Sequence, residues 1–329
     1  MFTRPTDLSD VDITDAFEAG WGLPPTSAAY LPVGFGSHHW RIDAATGGWF
    51  ATVDDLEAKQ HSAFETRRRP RERLEAALTT ARALHDIGLE FVVAPLLTCG
   101  GAVIHDIDDR YVLAVYPFIN GQTHSYGNYP NAQARDAVVE LIVRLHSAPG
   151  SCRHAALTDT FEIACRDGLT IALDLVSTPW ESGPFAEPAR ELLARHARSV
   201  LGVLDRYDTL AASARQRPDR LVLTHGEPHP ANTITTDGGV VLIDWDTTLI
   251  APPERDLWDL IGEDSTVADA YSARTGLAIQ RDAIELYRLG WDLAEIAIYI
   301  SDFRRTHTET NDTRTAWTNL QHFLDPSRW

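Results

Sequence analysis

The sequence contains a polar turn set between apolar runs, L221-V-L-T-H-G-E-P-H-P-A-N-T-I234, followed directly by T235-T-D-G-G-V-V-L-I-D-W-D246. The run at 221–224 predicts a buried strand, and the segments at 233–236 and 240–244 predict a β-hairpin closed by D237-G-G239. If that hairpin is centred on Gly238, Asn232 and Asp244 face each other with Cβ atoms about 5 Å apart.

Two of these side chains suit a magnesium ion. The amide oxygen of Asn232 and the carboxylate of Asp244 are hard oxygen ligands of the kind that magnesium uses. Glu227 precedes Asn232 by five residues, on a loop that Pro228 and Pro230 stiffen by restricting φ. Each residue alone is typical of an ordinary polar hairpin, but together they favour a carboxylate beside a metal. Phosphoryl transfer requires such an arrangement, because its catalysis is mainly positioning and charge neutralisation.

The composition is that of an ordinary globular protein. The 329 residues are enough for one large domain or two lobes, with 44% hydrophobic and 23% charged residues. No run of eighteen apolar residues predicts a membrane span, and the first ten residues lack the apolar core of a signal peptide. Three scattered cysteines are too few for a disulfide framework or a zinc site. We expect a cytoplasmic protein.

The formal net charge of −18 argues against nucleic acid or an anionic membrane surface as a partner. It would suit a cationic small molecule, although solubility alone explains it equally well. Of the 29 basic residues, Lys59 is the sole lysine. Any chemistry that needs an ammonium group therefore has one candidate.

The first 120 residues predict a strand-rich unit. A short helix is expected near 12–19 and a long one after Pro70, ending near Gly88. Strands are expected at 29–33, 38–43, 49–53, 91–94, 102–105 and 111–116.

The remaining residues predict a mostly helical unit, which begins after a connector at 117–121. Apolar residues recur at helical spacing near 138–145, in a helix near 187–214, and again at 286–303. The chain is therefore expected to have an α+β fold, with a small strand-rich lobe and a larger helical lobe.

The motif H225-G-E-P-H-P-A-N232 followed by I243-D-W245 resembles that of the aminoglycoside phosphotransferase family. The resemblance implies a protein-kinase-like, two-lobed fold with a nucleotide-binding N-terminal lobe at 1–116. A helical C-terminal lobe at 117–329 would carry the catalytic loop and the acceptor site. The run at 252–257, P-P-E-R-D-L, also resembles the continuation of the family pattern.

The resemblance assigns roles to the motif residues. Glu227 takes the place of the family's catalytic aspartate, and His225 that of a histidine that braces the loop. Asn232 and Asp244 match the magnesium ligands, and Asp256 matches a structural aspartate. The extra methylene of Glu227 shifts its carboxylate by about 1.5 Å, whereas a misplacement of about 1 Å can cost on the order of a hundredfold in rate. Either the loop compensates for this shift or catalysis is impaired.

The nucleotide site departs from the family at the third strand, where Thr52 stands in place of a phosphate-binding lysine. Lys59 could replace that lysine, or it could be a surface residue. The arginines at 67–73 are alternative cations or a solvated start of the long helix. The glutamate that would pair with the lysine could be Glu72 or Glu75.

The resemblance places further nucleotide contacts in the first lobe. Gly34, Gly36 and Ser37 would form a flexible loop over the phosphates, and Tyr116 and Phe118 would flank backbone groups that bind the base. Pro117 removes one backbone donor there, which leaves ATP and GTP both open.

An acidic stripe on the last long helix suits a cationic acceptor. Asp292, Glu295, Tyr299 and Asp302 follow at spacings of three, four and three residues, beside the apolar stripe. The alternative for this stripe is a solvated helix flank.

These observations predict a nucleotide- and magnesium-dependent phosphotransferase that acts on a hydroxyl group of a small molecule. The acceptor would be an aminoglycoside, an aminocyclitol or another antibiotic. A metabolic kinase for choline, homoserine or an amino sugar is the second interpretation. A catalytically weak nucleotide-binding pseudokinase is the third, because Glu227 replaces an aspartate and the third-strand lysine is missing.

Overall fold

The first lobe is built around a five-stranded antiparallel sheet. The computed structural model describes residues 1–261 and 265–329. The strands are β1 (Pro25–Leu31), β2 (His38–Ala44), β3 (Gly47–Asp55), β4 (His105–Asp106) and β5 (Tyr111–Pro117), in the order β1-β2-β3-β5-β4. Two helices accompany the sheet, α1 (Asp10–Trp21) and α2 (Arg68–Asp86). The predicted helices and the first three strands of this lobe are present.

The sheet is covered on both faces, and β5 shows why. Its residues Tyr111, Leu113 and Val115 belong to a core cluster with α1, whereas Val112 and Ala114 belong to another with α2. Successive side chains of a strand point to opposite faces, so a strand buried on both faces must be apolar at every position. The uninterrupted apolar run Y111-V-L-A-V115 meets that requirement.

The second lobe is mainly helical. Its helices are α3 (Ala132–His146), α4 (Arg166–Asp174), α5 (Ala186–Ala214), α6 (Glu254–Ile261), α7 (Ser265–Thr275), α8 (Arg281–Arg304) and α9 (Asn311–Phe323). The apolar stripe predicted at 286–303 lies on α8 and is buried against α5. The predicted α+β fold with a strand-rich first lobe is confirmed.

The second lobe also contains two small sheets of short strands. A three-stranded sheet has the order β6-β8-β9, where β6 is Gln122–Thr123, β8 is Thr233–Thr236 and β9 is Gly239–Leu242. A second ribbon pairs β7 (Val222–Thr224) with β10 (Leu249–Ala251). The loop that joins β7 to β8, at residues 225–232, is called the catalytic loop below.

Two of the predicted first-lobe strands are wrong. Residues 91–94 form no strand, because Val92 makes an isolated bridge to Leu242 of the second lobe instead of joining the five-stranded sheet. Of 102–105, only His105 is extended and paired, as the start of β4. The side chains of Phe91 and Val92 lie in a core cluster with residues of the second lobe, so the lobes share buried apolar surface.

In the described parts of the chain, no helix is both long enough and apolar enough to cross a membrane.

Candidate active site

The catalytic loop is fixed at its start by a buried carboxylate. Asp256, on α6, is 1% exposed, and its two oxygens accept hydrogen bonds from the backbone N–H groups of His225 (2.9 Å) and Gly226 (2.5 Å). A carboxylate that accepts consecutive amides holds them in one orientation. The predicted structural role of Asp256 agrees with these contacts.

Asp256 is held in turn by a buried pair on two other helices. His146 Nε2 lies 3.0 Å from an Asp256 oxygen, and its Nδ1 lies 2.6 Å from the hydroxyl of Tyr271. Burial opposes ionisation of Asp256, but the hydrogen bond and charge of His146 hold the pKa of this carboxyl below its usual range. His146 was not predicted as a site residue, because a lone histidine on an apolar helix carries no signal of its partner.

His225 braces the loop and is not placed to transfer a proton. Its ring is fully buried, with Nε2 2.8 Å from the carbonyl oxygen of Ile243 and Nδ1 3.2 Å from the Glu227 amide nitrogen. A carbonyl can only accept and an N–H can only donate, so the ring carries its proton on Nε2 and is neutral. Burial lowers the pKa of His225, which agrees with that tautomer.

Gly226 is required by its surroundings. Its φ is +105°, and a Cβ there would lie 2.5 Å from the guanidinium of Arg255. That guanidinium donates to the Thr224 hydroxyl (2.9 Å) and to the Thr247 carbonyl (2.8 Å), so it cannot move aside cheaply. A side chain at this position would force the catalytic loop away from α6.

Glu227 follows with its carboxylate accessible from the cleft between the lobes. The side chain is 28% exposed, and Oε2 lies 3.7 Å from His229 Nε2. Asn232 Nδ2 donates to the Glu227 carbonyl at 3.0 Å, and the Tyr129 hydroxyl donates to the Pro228 carbonyl at 2.6 Å. The backbone on both sides of the carboxylate is therefore anchored.

The predicted hairpin register is wrong by one residue. Thr236 pairs with Gly239 and Thr233 with Leu242, so Asn232 faces Ile243, whose N–H donates to the Asn232 carbonyl at 3.0 Å. The loop has two residues, Asp237 and Gly238, instead of the three predicted, and two-residue loops are the commonest in hairpins. Asp244 leaves the strand with a φ of +66°, which redirects its side chain.

Asp244 belongs to a cluster of carboxylates. Its side chain is reached from the cleft yet has protein on most sides. This enclosure, with the charges of Asp246 and Glu227, raises the pKa of the Asp244 carboxyl well above its usual range. Asp54, from β3, contributes a further negative charge. The cluster therefore carries more negative charge than its neighbouring cation, Lys59, offsets.

Lys59 lies in this cluster and not on the outer surface. Its Nζ is 2.7 Å from Asp246 and 3.0 Å from Asp54, and the side chain is 25% exposed. Burial opposes its charge, but the two carboxylates raise the pKa of Lys59 well above its usual range. The interpretation of Lys59 as a surface residue is wrong, because the chain after β3 folds back into the cleft.

The loop that carries Lys59 is attached to both lobes. Arg73 of α2 donates to the Lys59 carbonyl at 2.9 Å. The His61 carbonyl accepts from the Cys165 N–H at 2.7 Å, and the Ser62 hydroxyl donates to Asp167 at 2.9 Å. Lys59 therefore lies on a loop that hydrogen bonds from both lobes fix in position.

The other candidate cations of the first lobe pair with nearby carboxylates. Arg67, Arg68, Arg69, Arg71 and Arg73 form ion pairs with Glu57, Asp109, Glu72, Glu75, Asp106 and Glu65. Glu72 and Glu75 are thus engaged by arginines at the start of α2. Lys59 instead pairs with Asp54 and Asp246. The Thr52 hydroxyl, at the position where the family lysine was expected, contacts His39 Nδ1 at 3.3 Å.

The loop between β1 and β2 has two glycines in the left-handed region of φ. Gly34 and Gly36 have φ values of +71° and +95°, which disfavour other residues. The Ser37 hydroxyl donates to Asp54 Oδ1 at 2.6 Å, which joins the loop to the carboxylate cluster.

The connector after β5 offers few backbone donors. Pro117 has no N–H, and the Phe118 N–H donates to the Gly48 carbonyl at 3.2 Å. Tyr116 packs against the core beside α2, where it interacts electrostatically with Asp54 and Asp246.

The acidic stripe of α8 divides into three separate environments. Asp292 is buried in an ion pair with Arg328 at 2.7 Å. Asp302 is exposed, 3.7 Å from Arg305. Glu295 accepts the Tyr299 hydroxyl at 2.6 Å, and burial, despite this bond, raises the pKa of Glu295 to about 7. The negative charge of Glu227 adds to that increase. Glu295 is therefore the stripe carboxylate that interacts electrostatically with the catalytic loop.

A magnesium ion fits the oxygen ligands of this site. Asn232 uses its amide nitrogen for the Glu227 carbonyl, which leaves the amide oxygen on the opposite side. The crowding of Asp244, Asp246 and Asp54 favours a cation. Across residues 1–261 and 265–329, no group of three His, Cys, Asp or Glu side chains is arranged as a metal site. Phosphate and water would therefore supply the remaining ligands, as is usual for magnesium.

Comparison with known proteins gives the family. The profile of the phosphotransferase enzyme family matches residues 31–297. The chain belongs to this family. The predictions of the family and of a phosphotransferase enzyme are therefore confirmed.

Individual relatives are more distant. Protein StrN of Streptomyces griseus is 27% identical over 328 residues, which cover 98% of this chain and 93% of StrN. The structure of spectinomycin phosphotransferase APH(9)-Ia, in complex with ADP and spectinomycin, has a TM-score of 0.74 at 15% identity, covering 98% of this chain and 96% of that one. Choline kinase LicA of Streptococcus pneumoniae has a TM-score of 0.54 at 15% identity, covering 95% and 97%. The two structural likenesses show a shared fold.

Proposed function

We propose that this phosphotransferase moves the terminal phosphoryl group of a nucleoside triphosphate to a hydroxyl group of a small, amine-bearing molecule, with magnesium. Family membership supplies the reaction class. The observation that carries the proposal is a pair of groups at the motif, the Glu227 carboxylate, whose backbone Asn232 anchors, and the Lys59 ammonium, which pairs with Asp246. The charges of both groups act on Asp244. One is suited to an acceptor hydroxyl and the other to phosphate.

Glu227 would act as the base. The acceptor hydroxyl would pass its proton to the Glu227 carboxylate, and its oxygen would bond to the terminal phosphorus. The bond from that phosphorus to the bridging oxygen of the diphosphate would break, and the nucleoside diphosphate would leave. The braced backbone on both sides of Glu227 limits its movement, and such positioning is the main contribution that proteins make to this reaction.

Lys59 would replace the missing third-strand lysine as the phosphate cation. It can exchange Asp54 and Asp246 for phosphate oxygens without a large movement, because its loop already lies in the cleft. Asn232 and Asp244 would hold magnesium, which, when bound, neutralises phosphate charge. His225 and Asp256 are positioning residues.

The first lobe, proposed as residues 1–116, would bind the nucleotide. Gly34, Gly36 and Ser37 would cover the phosphates, and the chain at Tyr116 and Phe118 would contact the base. Because Pro117 and Phe118 offer no free N–H, base recognition would rest on carbonyl groups, and ATP and GTP both remain candidates. Such a donor is most available in the cytoplasm, where we propose that the protein acts.

The second lobe, proposed as residues 117–329, would bind the acceptor. The Glu295 carboxylate, held by Tyr299 and close to Glu227, is suited to an amine of that acceptor. Asp292 would support this side through its pair with Arg328, and Asp302 would act only at the margin, since it is exposed beside Arg305. The spectinomycin complex of the APH(9)-Ia structure and the net charge of −18 both support an amine-bearing acceptor, which makes an antibiotic-type substrate our first choice.

The test is transfer to a defined set of acceptors. Purified protein would be incubated with magnesium and ATP or GTP, with spectinomycin, 2-deoxystreptamine or choline as acceptor. Phosphorylated product would be followed by phosphorus NMR, with the Glu227→Gln variant as the matched control. We expect transfer to an amine-bearing ring and its loss in the variant. Nucleotide binding without transfer to any acceptor would contradict the proposal and favour a nucleotide-binding pseudokinase.

A further inference from the structure

Four aromatic side chains, one of them from the catalytic loop, meet and are called the aromatic wall here: Tyr126, His229, Trp258 and Trp291. The Tyr126 ring centroid lies 4.9 Å from that of His229, in an edge contact. It lies 6.4 Å from that of Trp291, and the Tyr126 and Trp291 rings are nearly parallel at 11°. Trp291 is also 6.1 Å from Trp258. The four come from distant parts of the chain, including the loop before α3, the catalytic loop, α6 and α8.

The aromatic wall borders the groups already assigned to the acceptor. His229 Nε2 is 3.7 Å from Glu227 Oε2. The Tyr126 phenol interacts electrostatically with Asp259, Glu295 and Glu227. The aromatic wall therefore lies beside Glu227, and the charges of Asp259 and Glu295 act on its Tyr126. Tyr126 is 60% exposed, so this large ring lies at the surface and not in a core.

Two hydrogen-bonding atoms of the aromatic wall are buried without a protein partner. They are Trp291 Nε1 and His229 Nδ1, which are among the few such side-chain atoms in the described parts of the chain. Buried polar atoms are nearly always hydrogen-bonded, so an unpaired one calls for a ligand or water. The Trp291 indole can only donate, so its partner must carry an acceptor such as a hydroxyl or ether oxygen.

We propose that the aromatic wall is the specificity-determining subsite for the acceptor and takes a hydroxylated ring that bears an amine. This inference rests on the proposed function. The apolar face of the ring would pack against Trp291 and Tyr126, and its oxygens would accept from Trp291 Nε1 and pair with His229 Nδ1. The amine would lie toward Glu295 and Asp259. The ring would thereby present a hydroxyl to Glu227.

A quaternary ammonium acceptor fits this surface less well. Aromatic rings attract such a cation, and the neighbouring carboxylates would add to that attraction. A trimethylammonium group, however, carries neither an acceptor for the Trp291 N–H nor a partner for His229 Nδ1. Satisfying both unpaired atoms therefore favours a ring with several oxygens.

The experiment measures binding directly, apart from turnover. Isothermal titration would compare 2-deoxystreptamine, myo-inositol and choline on the full chain with a non-hydrolysable nucleotide and magnesium. The first two are matched rings with and without amines. We expect 2-deoxystreptamine to bind at least tenfold more tightly than either of the others. Equal binding of myo-inositol or tighter binding of choline would overturn the proposal.

Two variants assign that affinity to the aromatic wall. Trp291→Phe keeps the ring and removes its N–H, and it should weaken 2-deoxystreptamine binding about three- to tenfold. Tyr126→Ala removes an exposed ring and should weaken it by about tenfold. Trp317→Phe, at a half-buried tryptophan packed on Phe185 and Phe303, is the matched control and should change nothing. Unchanged affinity in both wall variants would refute the subsite.

The two proposals fail in different ways. If 2-deoxystreptamine binds and the wall variants weaken it, but no acceptor is phosphorylated, the aromatic wall stands and the proposed reaction is wrong. If some acceptor is phosphorylated with the same KM in wild type and Trp291→Phe, the reaction stands and the aromatic wall is not its specificity site.

Discussion

The start of the catalytic loop, at His225 and Gly226, and the aromatic wall lie side by side, yet their hydrogen bonding is opposite. In the catalytic loop, His225 and Gly226 donate to Asp256, and both nitrogens of the His225 ring have partners. In the aromatic wall, Trp291 Nε1 and His229 Nδ1 have none.

This difference distinguishes groups that are held in a fixed position from groups that are available to bind a ligand. Each buried unpaired group costs on the order of 1–3 kcal/mol, so a fold retains one only where something else compensates. The fully paired start of the loop would preserve the geometry of the proposed reaction. The unsaturated wall leaves hydrogen-bonding capacity for an acceptor.

The largest effect is expected from Glu227→Gln, which keeps the shape of the proposed base and removes its charge. We expect kcat to fall by about 10²–10⁴, the range for a positioned acid–base group, with nucleotide affinity retained. Steady-state kinetics on a confirmed acceptor would check this. In Glu227→Asp, the carboxylate falls short, and a loss nearly as large is expected. A gain of activity in that variant would instead mean that the native enzyme is attenuated.

The next effect tests whether the catalytic loop is as rigid as its contacts imply. Asp256→Asn places an amide where two backbone N–H groups and His146 need a carboxylate, and it should lower the free energy of unfolding by about 3–5 kcal/mol. Urea unfolding followed by circular dichroism measures this. Tyr271→Phe, which removes only the hydroxyl next to His146, should cost about 1 kcal/mol.

A surface pair supplies the control for Asp256. Arg166 and Asp208 form an exposed ion pair on α4 and α5, and Asp208→Asn should cost no more than about 1 kcal/mol. Equal destabilisation by Asp208→Asn and Asp256→Asn would show that the loop is not held in the way described.

A smaller effect is expected on the phosphate side. Lys59→Ala removes the ammonium group beside Asp54 and Asp246, and it should weaken nucleotide binding about 10- to 100-fold, as expected for one charge-assisted hydrogen bond. Fluorescence titration with a labelled nucleotide measures this change. Arg68→Ala, at a side chain that is 77% exposed and pairs with Glu72, is the control. If both variants bind nucleotide as the wild type does, Lys59 is not the phosphate cation.

The smallest effect concerns pH on the acceptor side. Burial raises the pKa of Glu295 to about 7, and Tyr299, Glu227 and Asp292 are the titratable groups that act on it. An amine binds the carboxylate form, so acceptor affinity should rise as pH increases through about 7 and fall by roughly tenfold from pH 8 to pH 6. Glu295→Gln should remove this step. A step that persists in the variant would place the titrating group elsewhere.

The same pKa has a consequence for stability. A carboxyl whose pKa is higher in the folded than in the unfolded protein favours folding when it is protonated. Its contribution is fully present below the unfolded pKa of about 4.5 and is lost as pH rises through about 7. Glu295→Gln should therefore gain stability relative to the wild type at pH 8 and less at pH 4.5.

Much of the fold could be predicted from local pattern. The period of the apolar residues identified α2, α5 and α8, and alternation and turn residues identified β2 and β3. The predicted strands at 91–94 and 102–105 failed because strand formation depends on a partner. Val92 finds its partner, Leu242, on the other lobe, 150 positions away.

The candidate site was predicted in part. The motif placed Glu227, Asn232 and Asp244 around one turn, but the register behind that prediction was wrong by one residue. Asp244 has a positive φ, which no spacing rule includes. Asp246, next to Trp245 in the same motif, was visible in the sequence but was not assigned, and neither was Asp54.

By itself, the sequence determined the family, the helical and strand-rich halves and the candidate site residues, since these depend on residue type and short-range spacing. Only the tertiary structure decided which of those groups meet. Lys59 becomes a cleft residue because the loop at 59–62 is held by α2 and by residues at the start of α4. The α8 stripe divides because Arg328 neutralises Asp292 whereas Glu295 contacts an uncharged tyrosine. The energy of a charge depends on its distance to other charges and on burial, and both are properties of the folded chain alone.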